Sequence, residues 1–232
     1  MMNLVTLTDI PFKIDVDALL KHVHLRPDSE DADEVRRLAA EAEAIGKPKA
    51  AYQVSAAEAI GERSVTIDGV AFTSRVLRIN LDGIHRVFPY IATCGMELQH
   101  WSDHYDDMLV NFWCDTIKAM ALAAASSALH QHVQMQYLPG PLGTMNPGSL
   151  SDWPLSEQRP FFRLFGDVTD AIGVTLSSSY LMTPNKSVTG IQFSTERTYE
   201  NCQLCPREDC PGRRAPYDET LFERYGLQPQ PR

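Results

Sequence analysis

The segment from residue 108 to about 134 constrains this chain most: Leu109, Phe112, Trp113, Ile117, Met120 and Leu122 recur there at helical spacing and demand burial. It reads as a central core helix around which the rest of the fold is layered. Its most apolar portion, residues 117–129, is interrupted by Lys118 and rich in Ala and Ser, a composition that does not support a membrane span. The chain opens without a basic, apolar, small-residue leader. A cytoplasmic location is therefore expected, with the five cysteines free, metal-bound or catalytic in preference to disulfide-paired.

Upstream, Asp15 can cap a short helix carrying Val16, Leu19, Leu20 and Val23. Asp31 and Glu34 form a capping box for a second helix through Val35, Leu38, Ala39, Ala42 and Ile45, stopped by Gly46 and Pro48. From 51 to 93 the period changes to two. Asp68-Gly69 predicts one hairpin, and Asp82-Gly83 predicts another, with arms at 75–80 and 86–93. Helical spacing returns at 96–104. Residues 138–153 are dense in Pro and Gly and read as a shaped loop. Beyond it, a helix follows Asp152 through Phe161, Phe162 and Leu164 to Gly166, a shorter one covers 168–172, and strands cover 174–182 and 187–194. The expected fold is thus α+β, a twisted antiparallel sheet with flanking helices over 1–194. Residues 195–232 form a Cys-, Pro- and Arg-rich tail packed on that domain, too aperiodic to be held by a hydrophobic core.

With 44% hydrophobic and 22% charged residues the chain can bury a real core and is not disordered. The 21 Lys and Arg against 30 Asp and Glu give a formal net charge of −9, which argues against nucleic acid as a partner. No P-loop, dinucleotide fingerprint or familiar hydrolase motif is present. His130 and His132, two residues apart on a helix, point to different faces and read as surface or capping residues.

The sharpest local signal is Cys202-Gln-Leu-Cys205-Pro-Arg-Glu-Asp-Cys210-Pro-Gly-Arg-Arg214. The two-residue gap lets two thiolates converge on one ion, while Pro206, Pro211 and Gly212 stiffen the loop so that Cys210 can turn back. Cys94, in the turn after the sheet, is the better candidate for a fourth ligand; Cys114, on the apolar face of the long helix, reads as buried. An iron–sulfur cluster such as [4Fe–4S], a zinc ion and bare thiols all accept this pattern.

A second signal runs from Met145-Asn-Pro-Gly-Ser-Leu-Ser-Asp-Trp153 to the segment between Ile172 and Ile191. Pro147-Gly148, followed by Gly173, Leu176, Ser179, Met182, Pro184, Ser187, Val188 and Gly190, resembles the reactivation domain of cobalamin-dependent methionine synthase. The resemblance is specific over 145–193 and collinear from about residue 12; the cysteine tail resembles the stand-alone relatives. It implies an α+β domain that binds S-adenosylmethionine and docks over a corrinoid presented by a methyltransferase partner. There, oxidised cob(II)alamin is reduced by one electron and trapped by methylation. The resemblance also implies a ligand site at Pro147, Gly148, Ser149, Ser178 and Tyr180, while the spacing of the thiols assigns Cys94, Cys202, Cys205 and Cys210 as the metal or cluster ligands. Three positions depart from the family: Thr144 stands in place of its Arg, Ser149 of its Tyr and Ser178 of its Glu. Arg213, Arg214 and Tyr217 are the residues that can replace the lost cation or ring spatially.

The function expected is that of an accessory factor for a corrinoid-dependent methyltransferase, supporting reductive reactivation. A tail cluster, or else a separate low-potential electron donor, would supply the electron. The alternatives are a non-catalytic docking module with structural zinc, and a zinc-thiolate methyltransferase subunit, which needs an open coordination position.

Overall fold

The computed structural model describes residues 4–137, 140–195, 199–210 and 213–227. In chain order the elements are β1 (Val5–Leu7), α1 (Val16–His22), α2 (Glu30–Ile45), β2 (Lys49–Tyr52), β3 (Ser55–Ile60), β4 (Ser64–Ile67), β5 (Val70–Thr73), α3 (Arg75–Asn80), β6 (Arg86–Thr93), α4 (Met96–Ser102), α5 (Met108–Tyr137), β7 (Leu142–Met145), α6 (Gln158–Phe165), α7 (Val168–Ile172), β8 (Thr175–Leu176), β9 (Met182–Thr183), β10 (Ser187–Ser194) and α8 (Thr220–Tyr225).

All eight strands of the main sheet pair antiparallel around β6, which is flanked by β10 and then β7 on one side, and by β2 and β3 in succession on the other. Pro89 sits in the middle of this central strand, where its missing N–H would ordinarily break the ladder. The amide and carbonyl of one strand residue face the same neighbour, and the Pro89 carbonyl accepts from Gln53, between the end of β2 and the start of β3. The absent donor therefore falls at the seam where one neighbour replaces the other.

Side chains alternate across β6. Val87 and Ile91 enter a core formed with Ile191, Phe193, Trp153, Phe161 and the β4–β5 hairpin, whereas Phe88, Tyr90 and Ala92 face Ala125, Leu129 and Val133 of α5. α5 has the length and composition to cross a membrane, yet it buries one side here against the sheet and against α1, α2 and α4. Its first turns are wetter than the spacing predicts. Leu109 and Phe112 are 50% and 49% exposed, because only one stripe of an isolated amphipathic turn can reach the neighbouring helices.

Three local expectations fail for identifiable reasons. The second hairpin does not form: residues 75–80 are α3, nucleated by Ser74, whose side chain accepts from the Leu77 N–H, and closed by an Arg78–Asp82 pair at i,i+4. The N-cap of α2 falls two residues before the expected capping box, at Ser29, whose hydroxyl donates instead to the Arg26 carbonyl. Residues 174–182 are not one strand. Ser177 accepts from the Leu181 N–H and bonds Ser179, so hydroxyl-to-backbone contacts turn the chain and leave only the short β8–β9 pair.

The expectation that the tail lacks a hydrophobic anchor is also corrected. Tyr199, Leu204, Phe222 and Tyr225 are all buried in the core under β6, and the Tyr225 hydroxyl donates to Asn80 Oδ1 at 2.7 Å. Apolar residues spaced too irregularly for one helix or strand still meet one core when the segment wraps around it.

Candidate functional site

Residues 146–153 form a narrow wall between two polar cavities, each completed by the tail. The wall is held from inside: the Gly148 N–H donates to the Trp153 carbonyl at 2.7 Å, and Trp153 itself is fully buried against Phe161. Asn146 is buried, and its Nδ2 donates to the Tyr90 hydroxyl and to the Thr189 carbonyl, both at 2.8 Å. This close approach requires Gly190. A Cβ there would fall on Asn146 Nδ2 and come within 2.7 Å of the Tyr90 ring.

The first cavity, of about 360 Å³, opens on the α5 side of the sheet between β7, β10, α5 and the tail. Tyr90, Asn146, Thr144, Gln192, His130, Glu200 and Arg214 line it. Strand pairing sets Thr144 opposite Gln192, and a parallel bridge sets Thr144 beside Glu200. Arg214 Nη2 lies 2.9 Å from Glu200 Oε2 in an ion pair whose angle is not that of a hydrogen bond. Burial raises the Glu200 carboxyl above its ordinary pKa, opposed by the positive charges of Arg214 and His130. Burial likewise raises Tyr90, which therefore stays a neutral hydroxyl. Gln192 Oε1 is buried without a hydrogen-bond partner among the described residues. Such an unpaired acceptor costs about 1–3 kcal/mol, which a ligand donor would recover.

The five ligand residues implied by the resemblance do not gather at one place. Asn146, immediately before Pro147-Gly148, reaches the first cavity, whereas Ser149 lines the second. Ser178 borders a third, open depression with Arg159 and Phe162, and Tyr180, at φ 65, lies under the Arg159 guanidinium at 4.8 Å. Of the three proposed substitutes for the family Arg, Arg214 reaches the cavity that holds Thr144. The spacing of residues 202–214 shows a basic tail but not this long-range approach. His130, Gln192 and Glu200 carried no functional signal in the sequence.

The four-thiol site is not assembled. Cys94 is fully buried on the α5 side, in the cluster that includes Cys114 and Leu98, its thiol pushed up to about 11 by burial. Leu204, between Cys202 and Cys205, is buried in the core on the other face of the sheet. Among the described residues no three His, Cys, Asp or Glu side chains converge to hold an ion. The cysteine loop instead closes on Arg213. Its guanidinium donates to the carbonyls of Cys202 (2.9 Å), Cys205 (3.3 Å), Arg207 and Ala215 (3.2 Å), and the Arg214 N–H donates to Cys202 Sγ at 3.4 Å. A guanidinium inside the loop supplies the staple that the sequence suggested a metal would supply, and the described donors do not fit a cluster or a closed zinc site. Pro211 and Gly212, expected to stiffen the loop, lie outside the described residues.

No family model and no curated protein matches the sequence. Among solved structures, the fold is similar to the crystal structure of the MetH reactivation domain bound to AdoHcy, with a TM-score of 0.60 over 97% of this chain and 86% of that chain, at 14% identity. The chain has the fold of that domain. The likeness extends over most of the tail that lines both cavities.

Proposed function

We propose that the chain binds an S-adenosylmethionine-class ligand in the cavity between β7, β10, α5 and the tail, and serves as an accessory factor for reductive reactivation of a corrinoid-dependent methyltransferase. The observation that carries this reading is Arg214 in the cavity that contains Thr144. Where the resembled family has an Arg on the strand, this chain has a Thr, and a cation arrives from the tail instead. The methionine end of such a ligand is a zwitterion and needs a cation for its carboxylate and acceptors for its ammonium. Arg214 meets the first need, while Gln192 Oε1 and Glu200 meet the second. The likeness to a domain crystallised with AdoHcy supports the same ligand class.

In this reading the side chains bind and orient; none is required as an acid, base or nucleophile. Corrinoid reduction is trapped by methylation from the bound ligand. Since the described thiols do not converge, the electron is assigned to a separate low-potential donor and the corrinoid to a partner protein.

Calorimetric titration of the full chain with AdoHcy tests the reading. Saturable binding that weakens at least about tenfold in Arg214→Ala, the loss of one charge-assisted hydrogen bond, is expected. Absence of binding to wild type, or identical affinity in the variant, refutes the assignment. Acceleration of cob(II)alamin methylation in the presence of a low-potential reductant, read in the visible spectrum, tests the reactivation role.

A further inference from the structure

The second cavity, of about 290 Å³, lies on the opposite side of the 146–153 wall, between the start of α3 and the tail. Its apolar lining comes from Leu150, Leu204, Phe222 and Leu227; its charged lining is Arg63, Arg75 and Asp152. Asp152 is fully engaged. One oxygen accepts from Arg63 at 3.1 Å, the other from the Ser74 hydroxyl at 2.6 Å and the Val76 N–H at 2.9 Å. That carboxylate neutralises Arg63, and it caps the helix that carries Arg75.

Arg75 is the unmatched charge. Among the described residues its guanidinium makes no hydrogen bond or ion pair, and its Nε is buried without a partner. The guanidinium lies close to Gly226, in the left-handed conformation at the end of α8 with φ 57; a Cβ there would meet Arg75 Nη2 at 2.6 Å. A buried guanidinium N–H with no acceptor is costly, and a cation already held beside a cavity with some apolar lining loses little further freedom on binding.

We propose that this cavity is a second ligand site, taking an oxyanion, carboxylate or phosphate, borne on a small apolar body. Arg75 receives the anion and the leucine and phenylalanine side chains of the wall and tail receive the body. The site is independent of the S-adenosylmethionine reading, since the two cavities share no lining residue.

Phenyl phosphate, benzoate, inorganic phosphate and benzyl alcohol, titrated separately into the full chain and followed by amide chemical shifts, provide the test. Phenyl phosphate or benzoate should shift Leu150, Leu204, Gly226 and Leu227 saturably, and the stronger of the two identifies the oxyanion. Arg75→Gln should weaken that binding at least about tenfold, with Arg75→Lys between the two. Gly226→Ala, which leaves Arg75 in the chain but displaces its guanidinium, should weaken it as well. Calorimetry with AdoHcy in Arg75→Gln shows whether the fold and the other cavity survive. No shift at millimolar concentrations, equal response in Arg75→Gln, or an equal response to neutral benzyl alcohol overturns the proposal.

Discussion

The two cavities flanking residues 146–153 share a wall and a tail but differ in how their charges are balanced. On the α5 side the charges are internally matched: Arg214 meets Glu200, with His130 nearby. On the other side Asp152 is consumed by Arg63, Ser74 and the α3 backbone, which leaves Arg75 without a partner among the described residues. A matched pair with spare acceptors suits a ligand carrying both charges, whereas an unmatched cation beside apolar walls suits an anion. One loop thus separates two kinds of recognition: the tail brings the cation of the first cavity, and the start of α3 brings that of the second.

The comparison breaks most severely at the wall itself. Trp153→Ala removes a fully buried indole from between the cavities and should cost about 3–5 kcal/mol of folding stability. Urea denaturation measures the loss, and AdoHcy and phenyl phosphate binding should fall together; loss of only one would show that the cavities do not share this support. Arg213→Ala frees four carbonyls of the cysteine loop and should destabilise by about 1–3 kcal/mol. Hydrogen exchange should speed up over residues 202–207 while the β6 and β10 amides keep their protection. If added zinc restores that protection in the variant, the thiols can take over the staple once the guanidinium is gone.

Charge substitutions sharpen the contrast. Arg214→Ala and Arg75→Gln should form a crossed pair, each weakening its own ligand about tenfold and leaving the other within about twofold. The smallest effect is expected at Glu200. Its folded pKa is raised, so its contribution is most favourable when it is protonated, and stability declines as pH rises from the ordinary carboxylate range through the raised pKa. Glu200→Gln should flatten that decline in urea titrations across the acid range; an unchanged slope would assign it to other groups.

Much of the architecture was legible because its signals are local. The apolar stripe of α5, the Asp15 cap, the Asp68-Gly69 turn and the strand at 187–194 depend on residues within a few positions of one another. Where local signals competed, sequence reading failed. Residues 75–80 carry both a strand-like flank and a Ser74 cap, and the cap prevailed because its carbonyl and amide bonds close within one turn. The site was less legible. Pro147-Gly148 and Thr144 marked the segment that carries Asn146 into the first cavity, but Ser149 and Ser178 face different cavities, since the turn at Gly148 and the turn at 177–181 redirect the chain.

By itself, then, the sequence determined the fold class, the long helix, the shaped loop and a tail rich in thiols and guanidinium groups. These follow from periodicity and backbone restriction, which act at short range. Only the tertiary structure decided that Arg213 closes the cysteine loop, that Cys94 is buried among helices, and that Arg214 and Arg75 fall in separate cavities with different countercharges. Those outcomes depend on which groups meet across long chain separations, where packing and desolvation choose the partner and spacing carries no record of the choice.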